Sequence, residues 1–417
     1  MVTPGTNPTP GLKVGLFSSI RPRIGLGVPA TGIASFSTGL VAAMAQSDTV
    51  ASIVVFSQVG SDPPQGERWS KVRVVPCWKY NSPVSLLRSF RIMLARRSEV
   101  DGFVFNTAIT DFGRSAAANV VGLLLPPFLA RLTRKPVVTY VHYFLETEDT
   151  SQLGYEPSFV QRLGVRFLER LLLSYTRVVV PLESQRATIE HAFGVSPGQL
   201  LIPFTEAFGW LAARDRPPSD PPVAPDEPLR VLLLGVWGPQ KDLGGVIRAI
   251  RAAKERGGRF TVSISGAINP HFPETRRELE QLKAAADLGW VRFMDSIPET
   301  ELLEVVRGHD LLILPYNGGS GYSSSMSVGA YCGNEIISYD RAQLREGASE
   351  LGIQPTFVKK GDTESLVQKI LALDADIARV RLKRPPIPRP DCDARTRGAA
   401  ERLVEFLASD AAPRTSG

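Results

Sequence analysis

The segment Leu314-Pro315-Tyr316-Asn317-Gly318-Gly319-Ser320-Gly321-Tyr322-Ser323-Ser324-Ser325-Met326 runs from an apolar stretch, through a Gly/Ser-rich loop, into residues of helical character. Exposed amides at a helix start carry about half a positive charge between them, and with serine hydroxyls they form a nest for an anion. An ordinary helix N-cap accounts for one of Ser323, Ser324 and Ser325 but not for all three. A second loop, Leu234-Gly235-Val236-Trp237-Gly238-Pro239-Gln240-Lys241, follows another apolar run. Small residues there let backbone approach a phosphate closely, and the lysine supplies a compact cation for a departing diphosphate. A surface lysine beside a turn is the common alternative. The chemistry these two loops share is recognition of a diphosphate.

Four histidines are present. His142 follows Val137-Val138-Thr139-Tyr140-Val141 and is therefore expected at the carboxyl end of a strand, where ligands bind, with a structural role about equally weighted. His191, His271 and His309 read as structural. Gly25-Leu26-Gly27-Val28-Pro29-Ala30 matches the loose dinucleotide pattern, but Pro29 has no amide to offer a phosphate and Ile20 to Ile24 intervene after the strand. A glycine-rich loop entering a helix at Gly32 fits better, with Thr31 and Gly32 as contacts on the acceptor or phosphate side. Asp374-Ala375-Asp376 and Asp391-Cys392-Asp393 have the carboxylate spacing of a magnesium site, yet neither follows a strand convincingly, and no metal is predicted. Cys77, Cys332 and Cys392 lie far apart with no zinc or disulfide spacing, which favours a reducing compartment.

The elements that must position these loops are short apolar runs alternating with helix-period segments, the pattern of parallel α/β units. It occurs twice. Runs at Lys13–Phe17, Ser52–Phe56, Val72–Val75, Gly102–Phe105, Val137–Val141 and Val178–Val180 predict one sheet, with helices at Ala34–Ala45, Ser115–Arg131, Pro157–Tyr175 and Ser184–Phe193. Runs at Val231–Leu234, Thr261–Ser265, Val291–Met294, Leu311–Leu314, Glu335–Ser338 and Thr356–Val358 predict a second. The sequence therefore predicts an α/β chain of two doubly wound Rossmann-like domains facing a cleft. Boundaries are expected at 1–212 and 229–384, with a Pro-rich linker at 213–228 and a Pro-rich crossover and C-terminal helix at 385–417. A chain of 417 residues is long enough for two such cores.

Charge is uneven. Residues 1–210 hold 20 Lys and Arg against 14 Asp and Glu, while the remainder balances at 28 of each, so the first half carries the whole excess. From Arg68 to Lys135, 12 basic residues face only Glu99, Asp101 and Asp111, a surface suited to an anionic partner. Leu86, Leu87, Phe90 and Leu94 share one helical face with arginines around it, which fits a membrane interface or, equally, an ordinary surface helix. The pattern lacks interleaved aromatic and basic residues, which argues against nucleic acid. Met1 to Gly11 lacks the apolar core of a signal peptide, and the apolar stretch Val120 to Ala130 is short and interrupted by Pro126-Pro127. Neither export by that route nor a membrane-spanning helix is expected.

At these residues the chain resembles the GT-B glycosyltransferases, most closely the retaining family 4 (glycosyl transferases group 1). Gly235 through Lys241 is similar to that family's phosphate loop. Leu314-Pro315-Tyr316, Ser323-Ser324-Ser325-Met326 and Gly333 resemble its subgroup with a Pro-Tyr and a serine turn before a helix ending in glycine. Gly361-Asp362-Thr363-Glu364-Ser365-Leu366 is similar to its late turn into a helix. The resemblance implies sugar transfer from a nucleotide-diphosphate donor to a glycan or lipid-linked acceptor, with retention, no metal and no cofactor. It gives Lys241, Gly235, Gly238 and Ser323 to Met326 to the diphosphate, Ser296 and Ile297 to the nucleoside, and His142 to the sugar or acceptor. It also implies a cytoplasmic protein, peripheral at the inner membrane face. The family's basic residue ahead of the lysine falls on Gly238 or Trp237, and its paired glutamates fall on Ser320 and Val328, which marks a divergent member. A catalytically silent partner subunit, or less favoured a nucleotide-sugar 2-epimerase, stands as the alternative.

Overall fold

The protein is represented by a computed structural model that describes residues 11–20, 32–61, 66–107, 112–113, 115–145, 156–201, 227–268, 289–298, 301–318, 323–382 and 391–409, with isolated residues 275, 277, 279, 280 and 321. The predicted linker falls mostly at 213–226 and the crossover at 383–390, both outside the described residues, as do Thr31, His271, Ser320 and the Gly25-to-Ala30 motif. The chain divides into two compact units. One comprises Met1–Phe144, Leu163–Trp210 and Asp393–Gly417, the other Leu145–Arg162 and Leu211–Cys392.

The first unit contains β1 (Leu12–Phe17), α1 (Gly32–Gln46), β2 (Val50–Gln58), β3 (Val72–Trp78), α2 (Pro83–Ala95), β4 (Gly102–Thr107), α3 (Ala116–Thr133), β5 (Val137–Val141), β6 (Arg177–Val179), α5 (Glu183–Phe193) and β7 (Leu200–Leu201), with α4 (Phe159–Tyr175) leading into β6. Its strands form one parallel sheet in the order β3-β2-β1-β4-β5-β6-β7. Burial on both faces explains the continuous apolar runs: every residue of β4 and β5 is buried. The two-residue β7 is too short for any sequence periodicity to announce.

In α2, Leu86, Ser89 and Met93 turn into the core while Val84 and Leu87 stay exposed. The expected apolar stripe of Leu86, Leu87, Phe90 and Leu94 is thus mostly a core-facing stripe, because the sheet beneath α2 offers the larger apolar area. As the predicted helix over Ser115–Arg131 implies, α3 continues through Pro126 and Pro127 for 18 residues. Each proline removes one helical hydrogen bond, yet both rings are buried, and Ala118, Leu125 and Leu129 pack with Phe103, Phe105 and Phe112. By length and composition alone α3 is apolar enough to cross a membrane, a test that the core helix of a globular protein also passes; 39% of it is buried in the protein.

The second unit contains β8 (Leu229–Leu234), α6 (Leu243–Glu255), β9 (Phe260–Ser265), β10 (Val291–Met294), α7 (Leu302–Arg307), β11 (Leu311–Leu314), α8 (Ser324–Cys332), β12 (Glu335–Tyr339), α9 (Ala342–Glu350), β13 (Thr356–Val358), α10 (Thr363–Ala375) and α11 (Ile377–Leu382). Its parallel sheet has the order β10-β9-β8-β11-β12-β13. Gly361 (φ 80°) precedes Asp362, which caps α10 by accepting from the Ser365 amide. The last helix, α12 (Asp391–Ala408), buries Ala400, Leu403, Val404 and Leu407 in the first unit's core. Arg177 at the start of β6 donates to the Phe406 carbonyl and to Ser409 Oγ at 2.8 Å, which anchors that helix.

In both sheets the strand order reverses beside the first strand, between β1 and β4 and between β8 and β11. Loops leaving those strands diverge, and the crevice at their carboxyl ends is where this architecture takes ligands.

Candidate functional site

The loops after β8 and β11 meet at the second sheet's reversal point. Lys241 and Tyr316 form an antiparallel bridge, flanked by hydrogen bonds from Asp242 N to Pro315 O (2.8 Å) and from Asn317 N to Gln240 O (2.7 Å). Asp242 also caps α6, accepting from the Gly245 amide at 2.8 Å, so the helix start fixes the residue next to the lysine.

Lys241 is 7% exposed. Its Nζ donates to Leu234 O at 2.8 Å and lies 4.7 Å from the Tyr316 ring centre and 5.2 Å from that of Trp237. The ammonium is thus held over two aromatic faces, an arrangement that stabilises a cation without neutralising it. Glycine is obligatory at 235: its φ is 138°, and a Cβ there would stand 1.8 Å from Lys241 Nζ. Gly266 is equally constrained, because its Cβ would fall 1.6 Å from Gly235 O. Gly238 accepts from the Lys241 amide and closes the turn.

Opposite the lysine, Ser323 caps α8. Its Oγ accepts from Met326 N at 3.2 Å and donates to the Tyr316 hydroxyl at 2.8 Å. Burial works to raise the Tyr316 pKa, but the Lys241 charge and hydrogen bonds from Ser323, Ser325 and Lys241 outweigh it, so the phenol lies below its ordinary value. Ser323 is thus the one serine that an N-cap accounts for, and its Oγ takes the Met326 amide. The amides of Ser324 and Ser325 are those a helix start leaves for an outside acceptor. The helix ends at Gly333 (φ 72°), as its glycine predicted. Val328 is buried at 1% exposure within α8.

Beside this cluster lies a pocket of about 460 Å³ lined by Trp237, Gly266, Phe293, Asp295 and Ser296 among others, within the few hundred Å³ usual for small-molecule sites. Ser296 therefore faces a cavity; Ile297 is not among the residues lining it. Asp374 accepts from Arg259 N at 2.8 Å and Asp376 pairs with Arg379, so the first DxD is structural. No cluster of three or more metal-binding side chains occurs among the described residues.

In the first unit the corresponding reversal point carries a different chemistry. His142 follows β5, and its Nε2 lies 2.8 Å from Asn106 Oδ1 at the end of β4. Asn106 Nδ2 donates to Ser37 Oγ of α1 at 2.6 Å, and Ser18, following β1, lies 2.7 Å from Ser37 Oγ. Phe36 meets the imidazole edge-on at 4.9 Å and Tyr140 lies at 5.1 Å. Burial lowers the His142 pKa from 6.5 to about 4, so the ring is neutral at physiological pH. Gly32 begins α1 in this unit. Ser18, Ser37 and Asn106 escaped the sequence reading, although Asn106 carries the same signal that singled out His142, a polar residue at the end of an apolar strand. His309, bound to Val305 O and Ser263 Oγ, is structural as expected.

No family model matches the chain, and no curated protein matches it in sequence. Solved structures do resemble it. HepE of Anabaena, in complex with UDP and glucose, superposes with a TM-score of 0.64 at 14% identity, over 95% of this chain and 100% of that one. Sucrose-phosphate synthase of Thermosynechococcus elongatus gives 0.62 at 14% identity, over 95% and 96%. A glycosyltransferase of Rickettsia africae gives 0.55 at 11%, over 95% and 96%. The chain has the GT-B fold. Its two α/β Rossmann-like domains account for nearly the whole length of each of these relatives.

Proposed function

We propose that this protein is a retaining, metal-independent glycosyltransferase that moves a sugar from a nucleotide-diphosphate donor to a glycan or lipid-linked acceptor. The observation that carries this reading is the convergence of Lys241, the α8 start and the Gly235 turn at one reversal point. A cation, the first amides of a helix and close-approaching glycine backbone stand together where a diphosphate would sit. Charge that develops on the departing diphosphate is met by groups already in place, which is usually the largest catalytic contribution. Ser323 and Ser325 supply hydroxyls, and the cavity beside Trp237 and Ser296 has room for the nucleoside. His142 orients the sugar or acceptor, with Gly32 on the acceptor side. Retention and metal independence rest on the resemblance to family 4, as does the reading of Ser320 and Val328 as replacements for its paired glutamates.

The resemblance also favours a cytoplasmic protein lying at the inner membrane face. Support comes from the basic excess of the first half and from the outer side of α2, where Val84 and Leu87 are exposed next to Arg88 and Arg91.

The test is turnover across a panel of nucleotide sugars. Release of free nucleoside diphosphate with sugar transferred to an added acceptor supports the transferase. Reversible interconversion of the sugar alone would make the protein an epimerase. Donor binding with no conversion of any kind would make it a silent partner subunit. Binding is screened first by thermal shift, because a ligand of the folded state raises its stability by mass action.

A further inference from the structure

The hydrogen bonds around His142 can be followed proton by proton, and the result fixes what its ring presents outward. Ser37 has one hydroxyl proton, with the Ile33 carbonyl one turn earlier in α1 at 2.8 Å and Ser18 Oγ at 2.7 Å to take it, while the Ser18 proton is drawn to the Asn106 carbonyl at 3.1 Å. With the Ser37 proton on either partner, Ser37 Oγ acts as an acceptor toward Asn106 at 2.6 Å. The Asn106 atom facing Ser37 must then be the amide nitrogen, and the atom facing His142 must be Oδ1. An oxygen acceptor at 2.8 Å requires that His142 Nε2 carry the proton. Nδ1 is left with a lone pair, and it has no hydrogen-bond partner among the described residues. The ring cannot easily turn to exchange the two nitrogens. Phe36 and Tyr140 pack against it, the His142 amide donates to Thr107 O at 3.2 Å, and Gln185 donates to the His142 carbonyl at 3.1 Å.

We propose that Asn106 is the positioning residue of His142, locking it as the neutral Nε2–H tautomer so that Nδ1 serves as a fixed hydrogen-bond acceptor for a hydroxyl group of the substrate. The role toward substrate rests on the glycosyltransferase reading; the tautomer does not. An acceptor-only atom recognises a hydroxyl and offers nothing to a phosphate or carboxylate oxygen. Neutrality also suits glycosyl transfer, in which the sugar ring gains positive charge toward the transition state, since an imidazolium beside it would oppose the reaction. The groups that meet the ring among the described residues are Asn106, Phe36 and Tyr140, with Gln185 on the backbone carbonyl. None of them is a carboxylate that would draw a second proton onto it. Burial adds to this by depressing proton affinity.

The experiment is a long-range proton–nitrogen correlation spectrum of the full-length 15N-labelled protein, recorded from about pH 8 to about pH 5, the range in which an ordinary histidine titrates. Four histidines make assignment simple, with His142→Gln identifying the missing signals. The expected result is a His142 ring protonated at Nε2 alone and unchanged through the titration. A ring protonated at Nδ1, or one that averages both tautomers, overturns the proposal. Asn106→Leu is expected to release the tautomer, and Asn106→Asp, which keeps an acceptor oxygen but adds a charge, to raise the His142 pKa into the observed range. The other three histidines report whether each variant remains folded. A His142 tautomer unchanged in Asn106→Leu removes Asn106 from the role. In turnover, Asn106→Leu should lower kcat by about tenfold, the scale of one hydrogen bond, and His142→Gln should retain more activity than His142→Phe because an amide oxygen also accepts. Equal loss in both His142 variants rejects the acceptor role. Wild-type protein that is locked at Nε2–H but turns over no nucleotide sugar leaves the tautomer standing and defeats the transferase reading instead.

Discussion

Lys241 shows how a lysine beside a turn, which sequence spacing offers either as a diphosphate cation or as a surface charge, is held as a candidate catalytic group. Its backbone bridges to Tyr316, its ammonium rests over two rings, and the glycine beneath it leaves no room for a side chain. Replacement of Lys241 by Met, which keeps much of the volume, is expected to lower kcat at least about tenfold while the melting temperature changes little. Unchanged turnover would remove the lysine from the mechanism. Gly235→Ala should lose both stability and nucleotide binding, since the added methyl meets Nζ at 1.8 Å and the backbone sits at a φ of 138°; a variant that melts and binds like the parent would contradict the geometry. His142 carries a pH consequence. Its folded pKa lies near 4 against 6.5 for the free side chain, so between those values the unfolded chain binds the extra proton. Acidification through this window therefore favours unfolding, and His142→Gln should flatten that part of a stability–pH curve measured by denaturant unfolding.

At the scale of elements, the decisive unit is α8 with its cap. Ser323 serves structure by holding the Met326 amide and serves the candidate site by donating to Tyr316. The two roles separate by substitution. Ser323→Ala should cost about 1 kcal/mol of stability through the lost cap, whereas Ser323→Asp keeps a good cap and places a negative charge where a diphosphate would approach. Calorimetry should find the Asp variant folded and unable to bind nucleoside diphosphate; normal binding would show that the anion site is elsewhere. A second tie between elements is Asp310, 1% exposed by its side chain, which pairs with Arg230 of β8 and Arg381 of α11 at 3.1 Å each. Burial pushes its pKa upward, but the hydrogen bonds from the two arginines prevail and hold it below the usual carboxylate value. The cluster thus stabilises the fold above the unfolded value of 3.8, and that contribution disappears as pH falls through the folded value. Asp310→Asn should destabilise the second unit by about 3 kcal/mol, because two partly buried guanidinium groups lose their buried counter-charge.

For the whole molecule, the charge split has a measurable consequence. The first half holds the entire basic excess, and α2 leaves Val84 and Leu87 outside next to Arg88 and Arg91. Binding to anionic vesicles is expected at low salt, to weaken as salt shortens the screening length to about 8 Å, and to fall further in Arg88→Glu/Arg91→Glu. Flotation assays without binding at low salt would reject the membrane surface as a partner.

The sequence by itself determined the two parallel sheets, since strands buried on both faces must be continuous apolar runs and helices between them must carry a 3.6-residue stripe. It also pointed to the small-residue turn at Gly235 and to Lys241 and His142 through their places after strands, while Gly333 and Gly361 came from the resemblance to a known family. Only tertiary structure decided which partners those residues meet. The bridge of Lys241 to Tyr316, the line from Ser37 of α1 through Asn106 to His142 and the inward turn of α2 all join positions far apart in the chain or depend on which face a neighbour covers. Local spacing records the shape of a segment. Which proton goes to which atom is settled only when the segments pack.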